Sequence, residues 1–265
     1  MKKEFTISIV IPVHELTDIT KKTLELALKS VEAQQVQPNE LIIVAPKDSE
    51  VITYLNSLPE SPLSTITKII ENDGNTDFAS QINLGVKSAT SDWVNILEFD
   101  DELANIWIKN VKQYATAYED CDIYLPIVID VNTNNEFQAL ANEVVWANSF
   151  SDELGILDHN ALLAYQNFKT DGMAIKKSVF EELGGLKSNV KLMFMYEFLL
   201  RATFFSKKVM VIPKFGYKHI NMRDGSLFHT YKQTIDPAEA RWLLSMAKKE
   251  FYFKKDRDIT YITTA

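Results

Sequence analysis

Apolar, β-branched runs alternate with helix-periodic segments over roughly the first hundred of the 265 residues, and this alternation limits the folds open to the chain. Residues 5–13 read Phe-Thr-Ile-Ser-Ile-Val-Ile-Pro-Val, nearly unbroken in apolar character, as a parallel strand buried on both faces requires. Thr17 and Asp18 are N-cap candidates for the next element, and Leu24, Ala27, Leu28 and Val31 follow at helical spacing. Residues 41–44 form a second apolar strand. The resulting β-α-β unit favours a right-handed parallel crossover. A short helix over 49–58, broken by Pro59 and Pro62, leads to a strand over 65–70. A turn at Asn72-Asp73-Gly74-Asn75 precedes a helix face of Phe78, Ile82, Gly85, Val86 and Ala89, then a strand over 93–99.

The second half is less regular. A helix lined by Ile106, Trp107, Val111, Tyr114 and Tyr118 leads to a strand over 121–131. Residues 132–169 have polar turns and scattered aromatics without a clear period. A strand over 171–176, a short helix capped by Ser178 and ended by Gly184-Gly185, a buried helix over 196–205 and a strand over 208–213 follow. Asp236-Pro237-Ala238-Glu239 sets Asp at the N-cap, Pro at the first helical position and Glu three residues after the cap, which starts a helix reaching about residue 250. This pattern predicts one α/β domain with a C-terminal extension. In such sheets ligands bind beyond the carboxyl ends of the strands, so the residues after Val13, Val44, Ile70 and Phe99 should converge on one crevice.

Composition narrows the function. A net charge of −8, with no basic run longer than two residues, does not suggest unaided attraction to nucleic acid or anionic membranes. Lys207, Lys208, Lys214 and Lys218 are the candidates for a local basic patch, against an ordinary solvated surface. The single cysteine, Cys121, excludes an intrachain disulfide and a cysteine metal site, and reads as a small buried hydrophobe. No signal peptide and no apolar stretch of about 18 residues is found. The expectation is a cytoplasmic protein without a transmembrane segment.

The chemistry concentrates in Glu98-Phe99-Asp100-Asp101-Glu102, at the end of an expected strand. Four carboxylates in five residues repel one another unless a cation neutralises them. Strand alternation puts Glu98 and Asp100 on one side, a donor pair suited to a hard divalent ion such as Mn²⁺ or Mg²⁺. The competing reading is a solvated acidic turn that caps the following helix.

Four blocks in order resemble family 2 glycosyltransferases. They are Ser8-Ile9-Val10-Ile11-Pro12-Val13-His14-Glu15; Glu40-Leu41-Ile42-Ile43-Val44; Asn72-Asp73-Gly74 through Asn83-Leu84-Gly85 to Leu97-Glu98-Phe99-Asp100-Asp101; and Gly172-Met173-Ala174-Ile175 through Leu183-Gly184-Gly185-Leu186 to Glu197 and Arg201. The resemblance implies the GT-A fold, with a mostly parallel central sheet and helices on both faces. It implies transfer of a sugar from a nucleotide-diphosphate sugar, a UDP-sugar in the first instance, to an acceptor hydroxyl, with inversion. Asp100 and Glu98 would hold the metal and diphosphate, Asp101 would support the turn or face the sugar, and Phe99 belongs to the same site. Pro12, Val13, His14 and Glu15 would contact the nucleoside, and Asn83 lies on the helix before the metal strand. Gly85 is there to let that helix pack closely on the sheet.

The chain departs from the family at two places. Paired Asp residues are usual after the second strand, whereas here Asp48 follows Val44-Ala45-Pro46-Lys47 and is the candidate substitute. The family often carries Glu-Asp a little before an Arg, and here the run is Met193-Phe194-Met195-Tyr196-Glu197-Phe198-Leu199-Leu200-Arg201. Glu197 is its only carboxylate and the candidate catalytic base, against a structural Glu197–Arg201 helix pair.

The implied domain plan is 1–215 for the transferase domain, with a nucleotide-sugar half over 1–105 and an acceptor half over 106–215. Residues 216–265 form a C-terminal lid and helical extension, in which Arg223 or Lys218 would bind diphosphate and His229 or His219 would add a metal ligand. Trp146, Phe150 and Tyr165 are candidates for stacking on an acceptor sugar. The expected acceptor is a surface glycan or its lipid-linked precursor. The alternatives are a phage enzyme that glycosylates hydroxymethylated DNA bases and a non-catalytic nucleotide-sugar-binding domain. A nucleotidyltransferase is disfavoured, since Val13-His14-Glu15-Leu16-Thr17 is not a Gly-rich, cationic loop.

Overall fold

The computed structural model describes residues 4–221 and 226–250. The parallel part of the sheet comes from the alternating first half: β1 (Ile7–Pro12), β2 (Glu40–Pro46), β3 (Thr67–Asn72) and β4 (Trp93–Ile96), adjacent in the order β3-β2-β1-β4. Every residue of β1 and β2 is buried, as their unbroken apolar sequences require. The connecting helices are α1 (Asp18–Glu32), α2 (Glu50–Ser57) and α3 (Phe78–Ser88). Thr17 and Thr20 form a reciprocal capping box on α1, and Asp77 caps α3 by accepting from Ser80 N at 2.8 Å.

The strand period of two separates two cores. Ile9, Ile11, Leu41 and Ile43 face α1, together with Trp107 and Val111 of α4 (Trp107–Ala117). Val10, Ile42 and Val44 face α3 and α7 (Phe194–Phe204) on the other side. Gly85 sets the spacing on that side, because a Cβ there would run into Val10 and come within 3.0 Å of Val44.

The second half completes the sheet with mixed pairings. β8 (Ala174–Lys176) lies antiparallel to β4, and β6 (Ile123–Val131) lies antiparallel to β8. β9 (Val209–Ile220) runs parallel to β6 and pairs at its far end with the short β5 (Glu102–Leu103). β7 (Phe137–Ala141) makes a hairpin with β6. Residues 132–169, where no period was legible, hold β7, a 3-10 turn over Glu143–Trp146 and α5 (His159–Ala164). The remaining helices are α6 (Lys177–Glu182), α8 (Leu227–Thr234) and α9 (Pro237–Glu250), the last starting at the expected proline.

Several boundaries differ from expectation, two of them at the ends of β4 and β9. β4 stops at Ile96 rather than continuing to Phe99, because the chain turns there: Asp101 N donates to Glu98 O at 3.2 Å. β9 does not stop at Pro213. The β6–β9 register shifts beside that proline, which absorbs its missing donor, and the strand continues to Ile220. The division expected at 215/216 therefore falls inside a sheet strand. Lys207 and Lys208 pair with Glu182 and with Asp120 and Glu153, so no basic patch assembles from them. Cys121 is buried, and burial pushes its thiol up to about 11. Among the described residues no helix is long and apolar enough to cross a membrane.

Glu40 fastens the edge of the parallel sheet. It is buried, accepts from Ser8 Oγ at 2.6 Å and Thr90 N at 2.8 Å, and pairs with Lys68. Burial alone would raise its carboxyl, but Lys68, Ser8 and Thr90 outweigh it and hold the group at about 2. A carboxyl lowered by folding stabilises above its unfolded value and loses that contribution on acidification. Glu40→Gln should therefore cost about 1–3 kcal/mol at neutral pH. In urea titrations, the gap to wild type should be full above about 4.5 and close as the pH falls toward 2. A gap independent of pH would refute this account.

Candidate functional site

A cleft of about 460 Å³ opens at the carboxyl ends of the parallel strands. β1 delivers His14 to it, the start of α3 delivers Asp77 and Phe78, and the turn after β4 delivers Glu98, Phe99 and Asp100. Residues 166–169 and the start of α7 form the facing wall, and α8 adds His229, Tyr231, Lys232 and Gln233 to the lining. The segment after β2 does not reach the cleft.

The acidic turn is built as a unit. Ligand oxygens of Glu98, Asp100 and Asp101 lie within 4.8 Å of one another. Glu98 N donates to Tyr217 Oη at 3.1 Å. Asp101 is committed to β9: its two oxygens meet Ile220 N at 2.8 Å and His219 Nδ1 at 2.9 Å. Glu98 and Asp100 line the cleft and Asp101 does not. Burial pushes the Glu98 carboxyl well above the ordinary carboxylate range, and the charges of Asp171, Asp101 and Asp100 add to the shift. Burial disfavours charge on His219 as well, but Asp101 and Asp171 outweigh it and push the imidazole up to about 10, so it is a cation at neutral pH. Hard oxygen donors crowded until one of them resists ionisation are suited to a divalent cation, and Glu98 and Asp100 are the pair that faces where it would bind.

Asp171 was missed from sequence because its turn was read as strand. Met173 N donates to Thr170 O at 2.8 Å, closing a tight turn, and Gly172 takes the left-handed position at φ +73°. A Cβ on Gly172 would approach Tyr217 to 2.6 Å. The turn is pinned by its backbone. Gly172 O accepts from Asn95 Nδ2 at 2.6 Å and from Trp107 Nε1 at 3.0 Å, while Asn142 bonds both Lys169 N and Lys169 O at 2.9 Å. The Asp-Gly pair before the apolar run Met173-Ala174-Ile175 was the available signal.

The other expected residues divide. Pro12 and Val13 are buried at the end of β1, and His14 meets Phe99 edge-on at a centroid distance of 5.0 Å. Glu15 approaches His14 Nε2 at 3.9 Å. His229 enters the cleft from α8 and contacts Gln233 at 2.7 Å, but it is not part of the acidic cluster. Asp48 sits exposed at φ 55° in the β2–α2 turn, outside the cleft. Asn83 clamps Leu186 N and O at 2.8 Å each, also away from it. Lys218 pairs with Glu102 across β5 and β9. Trp146 donates to Val211 O at 3.0 Å in the packing behind the wall, and Phe150 and Tyr165 stand behind Phe168, which does line the cleft. Arg223 lies outside the described residues.

Glu197 does not reach the cleft. It is fully buried, and its two oxygens take Arg201 Nε at 2.9 Å and Nη2 at 2.7 Å, with Lys187 Nζ 3.3 Å away. Arg201 in turn donates to Leu183 O and Gly185 O. The cleft surface of this segment is Met193, Phe194, Met195 and Tyr196. Glu197→Gln should leave a buried guanidinium short of a counter-charge and destabilise the fold by about 3–5 kcal/mol in chemical denaturation. Unchanged stability with transfer abolished would return Glu197 to the chemistry.

Three solved structures of S. aureus TarS 1-349 share this architecture. The complex with UDP-GlcNAc superposes with a TM-score of 0.67 at 13% identity, covering 92% of this chain and 65% of that one. The UDP complex gives 0.61 at 14% identity, covering 92% and 64%, and TarS without a named ligand gives 0.57 at 13%, covering 98% and 76%. The chain thus spans just under two thirds of the two complexes, and at this identity the likeness establishes the GT-A fold alone. A search of curated proteins finds no match. Residues 8–184, well over half of the chain, match the family described as Glycosyl transferase family 2, and the protein is therefore a member of that glycosyltransferase family.

Proposed function

We propose that the protein transfers a sugar from a UDP-sugar to an acceptor hydroxyl, with inversion and with Mn²⁺ or Mg²⁺ held by Asp100 and Glu98. The observation that carries this reading is the acidic turn that lines the cleft, its carboxylates gathered within 4.8 Å in a chain of family 2. The TarS complexes with UDP and UDP-GlcNAc support a uridine donor. A surface glycan or its lipid-linked precursor is the proposed acceptor class, with the reaction in the cytoplasm.

In this reading the nucleoside lies against Pro12, Val13, His14 and Glu15, beside the Phe99 ring. Asp100 and Glu98 hold the cation, which when bound neutralises the charge developing on the departing diphosphate. Tyr217 fixes the Glu98 backbone, and Asp101 ties the turn to β9, so the donor-binding carboxylates need little reorganisation on binding. α8 in the cleft lining limits water access, which protects an activated sugar from hydrolysis. Arg223 would reach the diphosphate and His229 would complete the cation's donor set from α8.

A second reading, binding without turnover, is favoured by one observation: the cleft face of residues 193–196 carries no carboxylate. Both readings require donor binding and differ in product.

With UDP-GlcNAc at about 100 times its Kd and Mn²⁺ present, binding should add about 2.7 kcal/mol, a rise in Tm of several degrees. Asp100→Asn should abolish the Mn²⁺-dependent part of that rise while leaving the ligand-free Tm within about 2 °C of wild type. An unchanged Mn²⁺-dependent shift in the variant would refute the cation assignment.

A further inference from the structure

We infer that Asp171 is the general base that deprotonates the acceptor hydroxyl. The inference rests on the donor-site reading above and supplies the group that the α7 segment lacks.

The sheet order places Asp171 on the side of the acidic turn away from the nucleoside. β1, β4 and β8 are consecutive neighbours. β8 is antiparallel to β4, so the turn that enters β8 stands beside the end at which β4 delivers Glu98 and Asp100. A donor laid across these strand ends has its nucleoside over the end of β1 and its diphosphate at the acidic turn after β4. Its sugar then falls next to the turn that carries Asp171, where the acceptor must approach.

Among the described residues, the other carboxylates around the cleft are engaged. Asp101 binds Ile220 N and His219, Asp77 caps α3, Asp130 holds Lys169 Nζ at 2.6 Å, and Glu197 is enclosed by Arg201. Glu98 and Asp100 belong to the cation. Asp171 lines the cleft and faces two cations, Lys169 Nζ and His219 Nδ1, each at 3.9 Å. At that distance neither cation is a direct hydrogen-bond donor to it. The backbone bonds from Asn95, Trp107 and Asn142 fix its position without using its side chain. A base needs a set position and a carboxylate that lines the cleft with acceptor capacity left for the substrate.

In the step, the Asp171 carboxylate takes the acceptor hydroxyl proton as that oxygen bonds to the anomeric carbon. The bond from the anomeric carbon to the diphosphate oxygen breaks, and its electron pair leaves with UDP. The products are the inverted glycoside, UDP and a protonated Asp171, which returns its proton to water.

The test uses the full chain with UDP-GlcNAc and Mn²⁺, reading UDP release with water as acceptor, alongside UDP affinity and Tm. Asp171→Asn should keep UDP affinity within about twofold and stay folded, its Tm lowered only by the loss of its ion pairs with Lys169 and His219, while UDP release falls about 100-fold or more. Asp171→Ala should regain release on addition of formate, and Asp171→Glu should retain part of it. Near-wild-type release by Asp171→Asn overturns the assignment. Loss of release together with UDP affinity, without rescue by formate, also overturns it and makes Asp171 a positioning residue. Failure of the wild type to bind UDP or UDP-GlcNAc sinks instead the donor reading on which the inference rests.

Discussion

Two half-buried cations, Lys169 and His219, allow five carboxylates to share one end of the sheet. Lys169 stands between Asp130 and Asp171, and His219 between Asp171 and Asp101, so charges alternate along a chain that ends at the turn carrying Glu98 and Asp100. Burial opposes the charge on Lys169, yet Asp171 and Asp130 raise it, as Asp101 and Asp171 do for His219. Without this alternation, packing the strand ends would bring like charges together in a medium that screens them poorly. Asp130 and His219 are direct neighbours on β6 and β9, so the extended register of the second half of the sheet sets the electrostatics of the first.

The two halves of the chain do different work. The parallel half is a rigid base with a core on each face, and its interior residues follow from hydrophobic pattern alone. The mixed half brings turns and strand ends back against that base. Tyr217 reaches Glu98 N, Asp101 reaches Ile220 N, and Asn95 on β4 reaches Gly172 O. Each of these bonds joins residues 77 to 119 positions apart in sequence, and each ends on a backbone atom. The cleft is therefore defined by tertiary contacts between loops on a stable support.

Legibility followed the same division. β1, β2, the helix α1 between them and the start of α9 could be read from period and capping, because local sequence and tertiary burial agree there. The acidic turn was legible because four carboxylates in five residues demand an explanation. Asp171 was hidden inside an apparent strand, since a turn at φ +73° depends on Gly172 meeting Tyr217, a contact no local pattern reveals. Glu197 was legible both as a base and as the partner of Arg201 in a buried helix, and the choice between them depends on Arg201 bridging to Leu183 and Gly185. The length of β9 was concealed by Pro213, which marks a break unless a partner strand shifts its register to accept it.

The turn from Thr170 to Met173 is gripped by Asn95, Trp107 and Asn142 through main-chain atoms. Scaffold and reagent are thereby separated at position 171. Main-chain contacts fix where a side chain is presented, and the side chain itself is held only by ion pairs to Lys169 and His219. In a lineage that keeps Asn95, Trp107, Asn142 and Gly172, position 171 is free to exchange one reactive group for another, so new chemistry can be sampled in an old cleft without refolding the sheet beneath it.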